Sequence, residues 1–424
     1  MTPSPQVIVE PQLWQMSLEE RMAVFAQLRE LGPFLPVEFT DAVTDETDRF
    51  YAVTRYHELV EISRRPGDFC SGRGSTSIAD LPAEAMEFFG SFIAMDDPRH
   101  ARQRGIVARS FTPKALSKLL ESVERTCEEL IDGFCEAGEA DLVKVLSEPL
   151  PLLVICDMMG IPRSEFDTVL RATNTILGAG DPETVGGVPE EQVMGAIISA
   201  ALELAGLMHE LAEERRKDPR DDLTSALVRN DFGEDVLTPQ ELAPFFILLA
   251  VAGNDTTRNA ISHGMCLLSK NPAQRARWQA DLEQITTKAV EEIVRAASPV
   301  TFMRRTVTRR LEMSGQVLEE GDKVVLFYGA ANRDPRIFQR PEEFDVGRDP
   351  NPHVGFGGPG PHFCLGAHLA RREITVAFRQ LLSRLPDIEM VGEPVPLQAL
   401  GVPLVGGIKH LQVRFSPTAP LKTD

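Results

Sequence analysis

Apolar residues recur at three- and four-residue spacing, with charges between them, from about Ser17 to Leu31 and again from about Pro113 to Ala137. That spacing keeps one face of a 3.6-residue turn apolar and predicts amphipathic helices. Further helical stretches are read from Pro189 to Lys217, from Thr238 to Leu268 and over Asn271 to Ala297. Strand patterns are fewer and shorter: "RFYAVTRY", then "TVTRRLEMSGQVLEEGDKVVLF" as a hairpin, then "GIKHLQVRF". No internal repeat, linker or low-complexity tract interrupts the chain. The pattern predicts one mainly α-helical domain with minor β over residues 1–424, with loose ends at about 1–12 and 416–424.

Composition narrows the setting. The 63 acidic residues outnumber the 44 basic ones, and the formal charge of −19 opposes non-specific attraction to nucleic acid or an anionic membrane. The N-terminus lacks a basic segment followed by an apolar stretch and a small-residue cleavage site, so a cytoplasmic protein is expected. The apolar run from Pro244 to Gly253 is about half of what a membrane span needs. It is read as a buried helix, and no membrane anchor is expected. The six cysteines show no pairing pattern, which suits a reducing compartment, and five read as buried small residues.

The sixth is different. Cys364 lies in "GFGGPGPHFCLGAHLARRE", residues 355–373, where glycines permit close backbone approach and Pro359 and Pro361 remove flexibility. A good helix former follows, placing Cys364 at or just before a helix N-terminus, a position that favours a thiolate. A phosphate loop is excluded, because no Lys-Ser/Thr pair follows the glycines. These residues alone leave open a turn that contains a cysteine, or a zinc site shared with His368, although no second Cys/His pair stands at finger-like spacing.

The segment resembles the haem-binding loop of the cytochromes P-450, Phe-x-x-Gly-x-His/Arg-x-Cys-x-Gly, with Gly360, His362, Cys364 and Gly366 on the pattern. Phe356 lies eight residues before Cys364 where the pattern has seven, and Gly357 takes the usual aromatic place. The resemblance implies haem b as cofactor and Cys364 as its axial thiolate, which favours O–O cleavage of dioxygen.

Other stretches are similar to the family in order along the chain. "LLAVAGNDTTRNAISHG" matches the oxygen-side helix through Ala252, Gly253, Asn254, Asp255, Thr256 and Thr257. Glycine and hydroxyl residues in mid-helix invite a local distortion that would make room for oxygen and water. The resemblance implies that Asp255 and Thr256 relay protons. Glu292 and Arg295 lie three apart on one helix face, and the family adds an arginine before the cysteine loop, here Arg348, to hold the core around the haem. His100 and Arg104, one helical turn apart, together with Arg305 and His362, match the family's propionate contacts. Arg304 competes with Arg305 for that role.

By resemblance the fold is a single triangular helical domain with a small β region. The reaction is monooxygenation of an unactivated C–H bond with O2, and electrons from NAD(P)H arrive through a separate ferredoxin and ferredoxin reductase. Arg109, Lys114, Lys118, Arg371 and Arg372 flank segments expected on the cysteine side, where an acidic ferredoxin would dock. The monomer is the expected state. "CDMMGIP", "SPVTFMRRT" and "GGIKH" are similar to the bacterial subgroup that hydroxylates terminal methyls of branched lipids and sterol side chains. The pocket segments Ser71 to Met95, Ala172 to Gly187, Pro299 to Met303 and Ala399 to Val405 are largely apolar or small, and a narrow channel that presents a chain end is expected. A natural-product tailoring hydroxylase, a peroxide-driven peroxygenase and a non-catalytic haem sensor are the rival readings.

Overall fold

Two capping boxes set the frame. Ser17 Oγ accepts the Glu20 N–H at 3.2 Å while the Glu20 carboxylate accepts the Ser17 N–H at 3.0 Å, starting the helix Leu18–Leu31 where the apolar period begins. Thr238 and Glu241 do the same for the helix Pro239–Lys270, with proline at its first position. A computed structural model of the chain describes residues 3–40, 46–80, 91–108, 113–178, 181, 183, 188–229, 237–398 and 401–421.

In chain order the first helices are α1 Pro11–Gln15, α2 Leu18–Leu31, α3 Tyr56–Arg64, α4 Arg99–Ala108, α5 Pro113–Asp132, α6 Pro149–Met159 and α7 Phe166–Leu177. They are followed by α8 Glu190–Lys217, α9 Leu223–Val228, α10 Pro239–Lys270, α11 Pro272–Ala280, α12 Leu282–Ala297, α13 Tyr328–Ala331 and α14 Ala367–Arg384. The strands are β1 Leu35–Thr40, β2 Thr47–Val53, β3 Phe69–Cys70, β4 Glu139–Asp141, β5 Phe302–Val307, β6 Leu311–Met313, β7 Gln316–Leu318 and β8 Lys323–Phe327. Near the end come β9 Glu389–Met390, β10 Val395–Pro396, β11 Ile408–His410 and β12 Gln412–Arg414. The largest sheet runs β1-β2-β8-β5-β3, and its β5 pairs antiparallel with β8 so that Arg304 stands opposite Val325 and Arg305 opposite Val324.

Helix α10 runs through the middle. Ala260, Ile261 and Met265 on it pack with Val290, Ile293 and Val294 of α12 and Phe378 of α14 in the largest core. Phe245, Phe246 and Ala250, nearer its start, pack with Ile155 of α6 and Leu204 and Met208 of α8. Among the described residues one helical stretch, Gln192–Lys217 of α8, is long and apolar enough to cross a membrane. Its inner face, including Ala201, Leu204 and Leu211, is buried in the protein core, and Arg215 pairs with Asp222 at 2.5 Å.

Several sequence expectations change. The stretch Asn271–Ala297 is two helices, because the Asp281 carboxylate accepts the Gln284 N–H at 3.0 Å and starts α12 afresh. "GIKHLQVRF" is two strands in different sheets, β11 against β10 and β12 between β4 and β9. The expected hairpin is β5 against β8, with β6 and β7 forming a smaller hairpin inside it. The ends are not loose throughout. Ile8 and Leu13 are fully buried, the Trp14 indole N–H donates to Ile8 O at 2.8 Å, and the Thr418 N–H donates to Cys135 O at 2.9 Å. Helix α6 escaped periodicity because its residues are apolar nearly all round.

Candidate active site

The cysteine loop is fixed by close approaches. Gly357 has φ of 90°, and a Cβ on Gly360 would lie 2.1 Å from the Ser63 carbonyl of α3, so neither position admits a side chain without moving the loop. The Cys364 N–H donates to Phe356 O at 2.9 Å, and the Gly366 N–H, at the cap of α14, is directed to the sulfur. Burial raises the Cys364 thiol, opposed by the Gly366 N–H and the Arg104 and Arg371 guanidinium groups. The side chain is enclosed by protein yet has an exposed surface, because it faces a cavity of about 230 Å³.

Phe356 lines the same cavity, and its carbonyl accepts from the Cys364 N–H, so the offset of one residue still ties it to the cysteine. The Arg371 guanidinium lies 4.3 Å from the ring centroid. Glu291 holds Arg371 at 2.5 Å and His353 at 2.8 Å. These partners outweigh its burial and bring its carboxyl down to about 2. The loop is thus tied to α12 and α14 together.

The wall facing the loop is α10. Ala252, Gly253 and Thr256 line the cavity, with Phe245 and Leu249 a turn or two before them and Phe92, Val300 and Met303 at the sides. The helix is continuous from Pro239 to Lys270, so the local distortion expected here does not take the form of a break. Instead, the Thr256 hydroxyl donates to Ala252 O at 2.8 Å, taking up one main-chain acceptor from within. Asp255, one residue away, faces elsewhere. It is buried beside Arg258 at 3.6 Å in a second cavity, and burial raises its carboxyl while Arg258 lowers it.

Nitrogen donors gather at one side of the first cavity. Arg104, Arg305 and His362 line it, and the His100 ring lies 4.3 Å from that of His362. Burial and the neighbouring Arg305, His100 and Arg104 push His362 down to about 3, and burial lowers His100, whose Nε2 is buried without a partner. Arg304 points to the other face of β5, where it donates to Ile78 O at 3.0 Å and pairs with Asp80 at 2.6 Å. Strand alternation therefore separates the two arginines and leaves Arg305 in the site.

Glu292, Arg295 and Arg348 meet. Arg295 donates to both Glu292 oxygens at 2.7 and 2.8 Å, Arg348 approaches them at 3.0 and 3.1 Å, and Glu292 is fully buried. Arg295 also donates to Asn332 O and Pro341 O, each at 2.9 Å, which fastens the segment before the cysteine loop. Among the described residues no group of three or more His, Cys, Asp or Glu could hold a metal ion, and His368 is exposed, so zinc has no ligand set.

The family model for cytochrome P-450 matches residues 48–386. The chain belongs to the cytochrome P-450 family. It is 44% identical, over 98% of the chain and 97% of the relative, to a methyl-branched lipid omega-hydroxylase of Mycobacterium tuberculosis. It is 37% identical, over 92% of the chain and 81% of the relative, to a steroid C26-monooxygenase of Rhodococcus jostii. A Mycobacterium marinum cytochrome P-450 solved in complex with pseudoionone superposes with a TM-score of 0.89 at 37% identity, covering 98% of this chain and all of that one.

This cytochrome P-450 is a haem-dependent monooxygenase, and its residues fit the haem. The basic donors at the cavity edge repel one another, and within the described residues Arg104 and Arg305 donate only to main-chain carbonyls, of Phe363 and Arg304, so a dianionic propionate edge would satisfy them. Cys364 would hold the haem iron through its sulfur. Bound there, haem supplies the activation of O2 and the insertion of one oxygen atom into a C–H bond.

Sequence reading missed Glu373. It is buried in α14, lines the cavity, accepts from Thr257 and is pushed up to about 8 by burial. A glutamate on the face carrying Leu369 and Ala377 was the available signal. The pocket segments hold for Pro299, Val300 and Met303 and for Phe92 and Ile93. They fail for 172–178, where Asn174 and Gly178 face the second cavity. Residues 81–90, the side chains of Lys114 and Lys118, and Arg109 lie outside the described residues. Arg371 and Arg372 are already paired with Glu291 and Glu124.

Proposed function

We propose that this cytochrome P-450 hydroxylates the terminal methyl of a branched-chain lipid, a fatty acid or a sterol or terpenoid side chain. The observation that carries the reading is the distribution of charge. Arg104, Arg305 and Glu373 are the arginine and glutamate side chains of the lining, while α10 contributes Phe245, Leu248 and Leu249 and the sides are Phe92, Val300 and Met303. A hydrocarbon end meets such walls without stranding a polar group, whereas a charged end would lose its hydration there. The similarity to the lipid omega-hydroxylase and the steroid C26-monooxygenase supports the same substrate class.

Cys364 ligates haem; His100, Arg104, Arg305 and His362 hold its propionates; Phe356, Gly366 and Ala252 pack against it. Asp255 and Thr256 pass protons toward bound oxygen, Thr256 from the cavity wall and Asp255 from the polar side of α10. Glu292, Arg295 and Arg348 hold the fold around the site. Electrons come from a separate ferredoxin and its reductase, and the protein works as a cytoplasmic monomer. The test is a panel of methyl-branched lipids, fatty acids, steroids and terpenoids, read by the haem spin-state change and by product analysis with NADPH, ferredoxin and reductase. Terminal hydroxylation of a branched chain is expected. A spin-state response confined to polar or polycyclic natural products would overturn the lipid assignment.

A further inference from the structure

A second cavity, of about 500 Å³, lies on the other side of α10 from the haem cavity. It is polar, and three charged groups meet in its wall. Arg258 Nη1 lies 2.9 Å from Glu148 and 3.6 Å from Asp255, and all three side chains are at most 5% exposed. Asn174 completes the arrangement from α7, donating to Glu148 Oε1 at 3.1 Å and accepting from Arg258 Nη1 at 3.1 Å. Glu148 is delivered by a π-helical turn, Val143–Ser147, that leads into α6.

The sharing is unequal. Arg258 is within hydrogen-bonding distance of Glu148 and Asn174 but beyond it from Asp255, whose Oδ2 is buried without a partner among the described residues. One buried guanidinium thus faces two buried carboxylates, and it lies nearer to Glu148 than to Asp255. The other charges around the cavity are Lys144, 3.6 Å from Glu148, with Asp167, Arg171, Glu183 and Lys409 on its further walls. Lys409 is engaged by Asp181 and Glu183 at 3.1 and 3.0 Å, and Arg171 by Glu203 at 2.6 Å. Among the described residues Arg258 is therefore the cation that reaches Asp255.

We propose that Glu148 and Asn174 are positioning residues for proton delivery: they hold Arg258 away from Asp255, leaving the Asp255 carboxylate loosely paired and able to take a proton from water in the polar cavity and pass it to the Thr256 side of α10. This rests on the reading of Asp255 and Thr256 as the relay. Each transfer brings one proton from solvent through the cavity to the Asp255 carboxylate, and Asp255 gives it up toward the Thr256 hydroxyl, which accepts it as it releases its own proton into the haem cavity, so both side chains are restored. Were Arg258 fully paired with Asp255, the ionised form would be favoured and the proton held less readily. A partly shared guanidinium keeps the carboxyl poised between its two states.

Glu148→Gln tests this while keeping the hydrogen-bond acceptor. In the substrate-free holoenzyme, the titration of the Asp255 carboxyl is followed by difference infrared spectroscopy of its protonated C=O stretch, assigned with Asp255→Asn. Glu148→Gln is expected to move the midpoint down by about one pH unit, a tenfold fall in the protonated fraction above it. In turnover it should lower product per NADPH, raise peroxide release and enlarge the solvent isotope effect, with the substrate-induced spin change intact. Asn174→Ala, which keeps every charge, should act in the same direction more weakly, and it decides the matter if Glu148→Gln does not fold. An unchanged Asp255 midpoint in the variants that fold would overturn the proposal. If Asp255→Asn itself leaves coupling and isotope effect intact, the relay reading fails, and the positioning role fails with it.

Discussion

The two cavities flanking α10 differ in kind. One, of about 230 Å³, has Phe245, Leu249 and Ala252 on its helix wall; the other, of about 500 Å³, has Asp255 and Arg258. Consecutive residues on a helix point about 100° apart, so Asp255 and Thr256 reach opposite compartments without any break in the backbone. A chamber walled largely by apolar side chains, the dry one, and a chamber walled by charged and polar side chains, the wet one, can thus share one wall. The helix keeps them apart by residue order alone.

Seven substitutions in four groups test that division and the site around it, in order of expected effect. Cys364→Ala should abolish turnover and the long-wavelength Soret band of the reduced carbon monoxide complex; an imidazole-like spectrum in the wild type would show that the wrong residue had been assigned. Leu249→Asp, placing a charge in the dry chamber, should weaken lipid binding on the order of a hundredfold, since an unpaired buried charge costs several kcal/mol. The same charge at Thr168, on the wet side, should leave binding within about twofold by spin-state titration, because Thr168 is only half-buried and its cavity is lined by charged and polar side chains. Equal losses at both positions would break the comparison.

Next, Asp255→Asn and Thr256→Ala should each cut product per NADPH by about tenfold or more, with peroxide making up the difference, while lipid affinity holds. The smallest effect is on stability. Glu373 keeps its proton in the fold up to about 8 and in the unfolded chain only to its ordinary 4.5, so stability falls as pH rises between those values. Glu373→Gln should therefore raise the Tm by a few degrees at pH 8 and not at pH 4, measured by calorimetry. Glu291 behaves oppositely. Its carboxyl at about 2 contributes stability that is present above about 4.5 and lost as pH falls toward 2, so Glu291→Gln should lower the Tm at pH 7 and match the wild type near pH 2.

The cysteine loop was legible because its chemistry is local. Glycines, prolines and Cys364 sit within a dozen residues, and a loop pressed against Ser63 needs that composition whatever surrounds it. Glu292 and Arg295 were legible as a helical pair, and Arg348 joined them only through the family pattern. The Arg258 cluster was not legible, since Asn174 lies 84 residues from Arg258 in the chain and nothing in either segment marks the meeting. The split at Asp281 was hidden for another reason: the apolar period runs on across it, and only a capping carboxylate interrupts the backbone. Burial of the N-terminal segment likewise depends on partners such as Phe327, far away in sequence.

Strand β5 sets Arg304 on one face and Arg305 on the other, each carrying out a task that the other's position does not allow. Inserting or deleting a single residue upstream within that strand would exchange them, turning the Asp80 partner into the site and the site arginine out of it. Two residues together would restore the alternation. Length variation in this strand among descendants of the gene should therefore come in even steps.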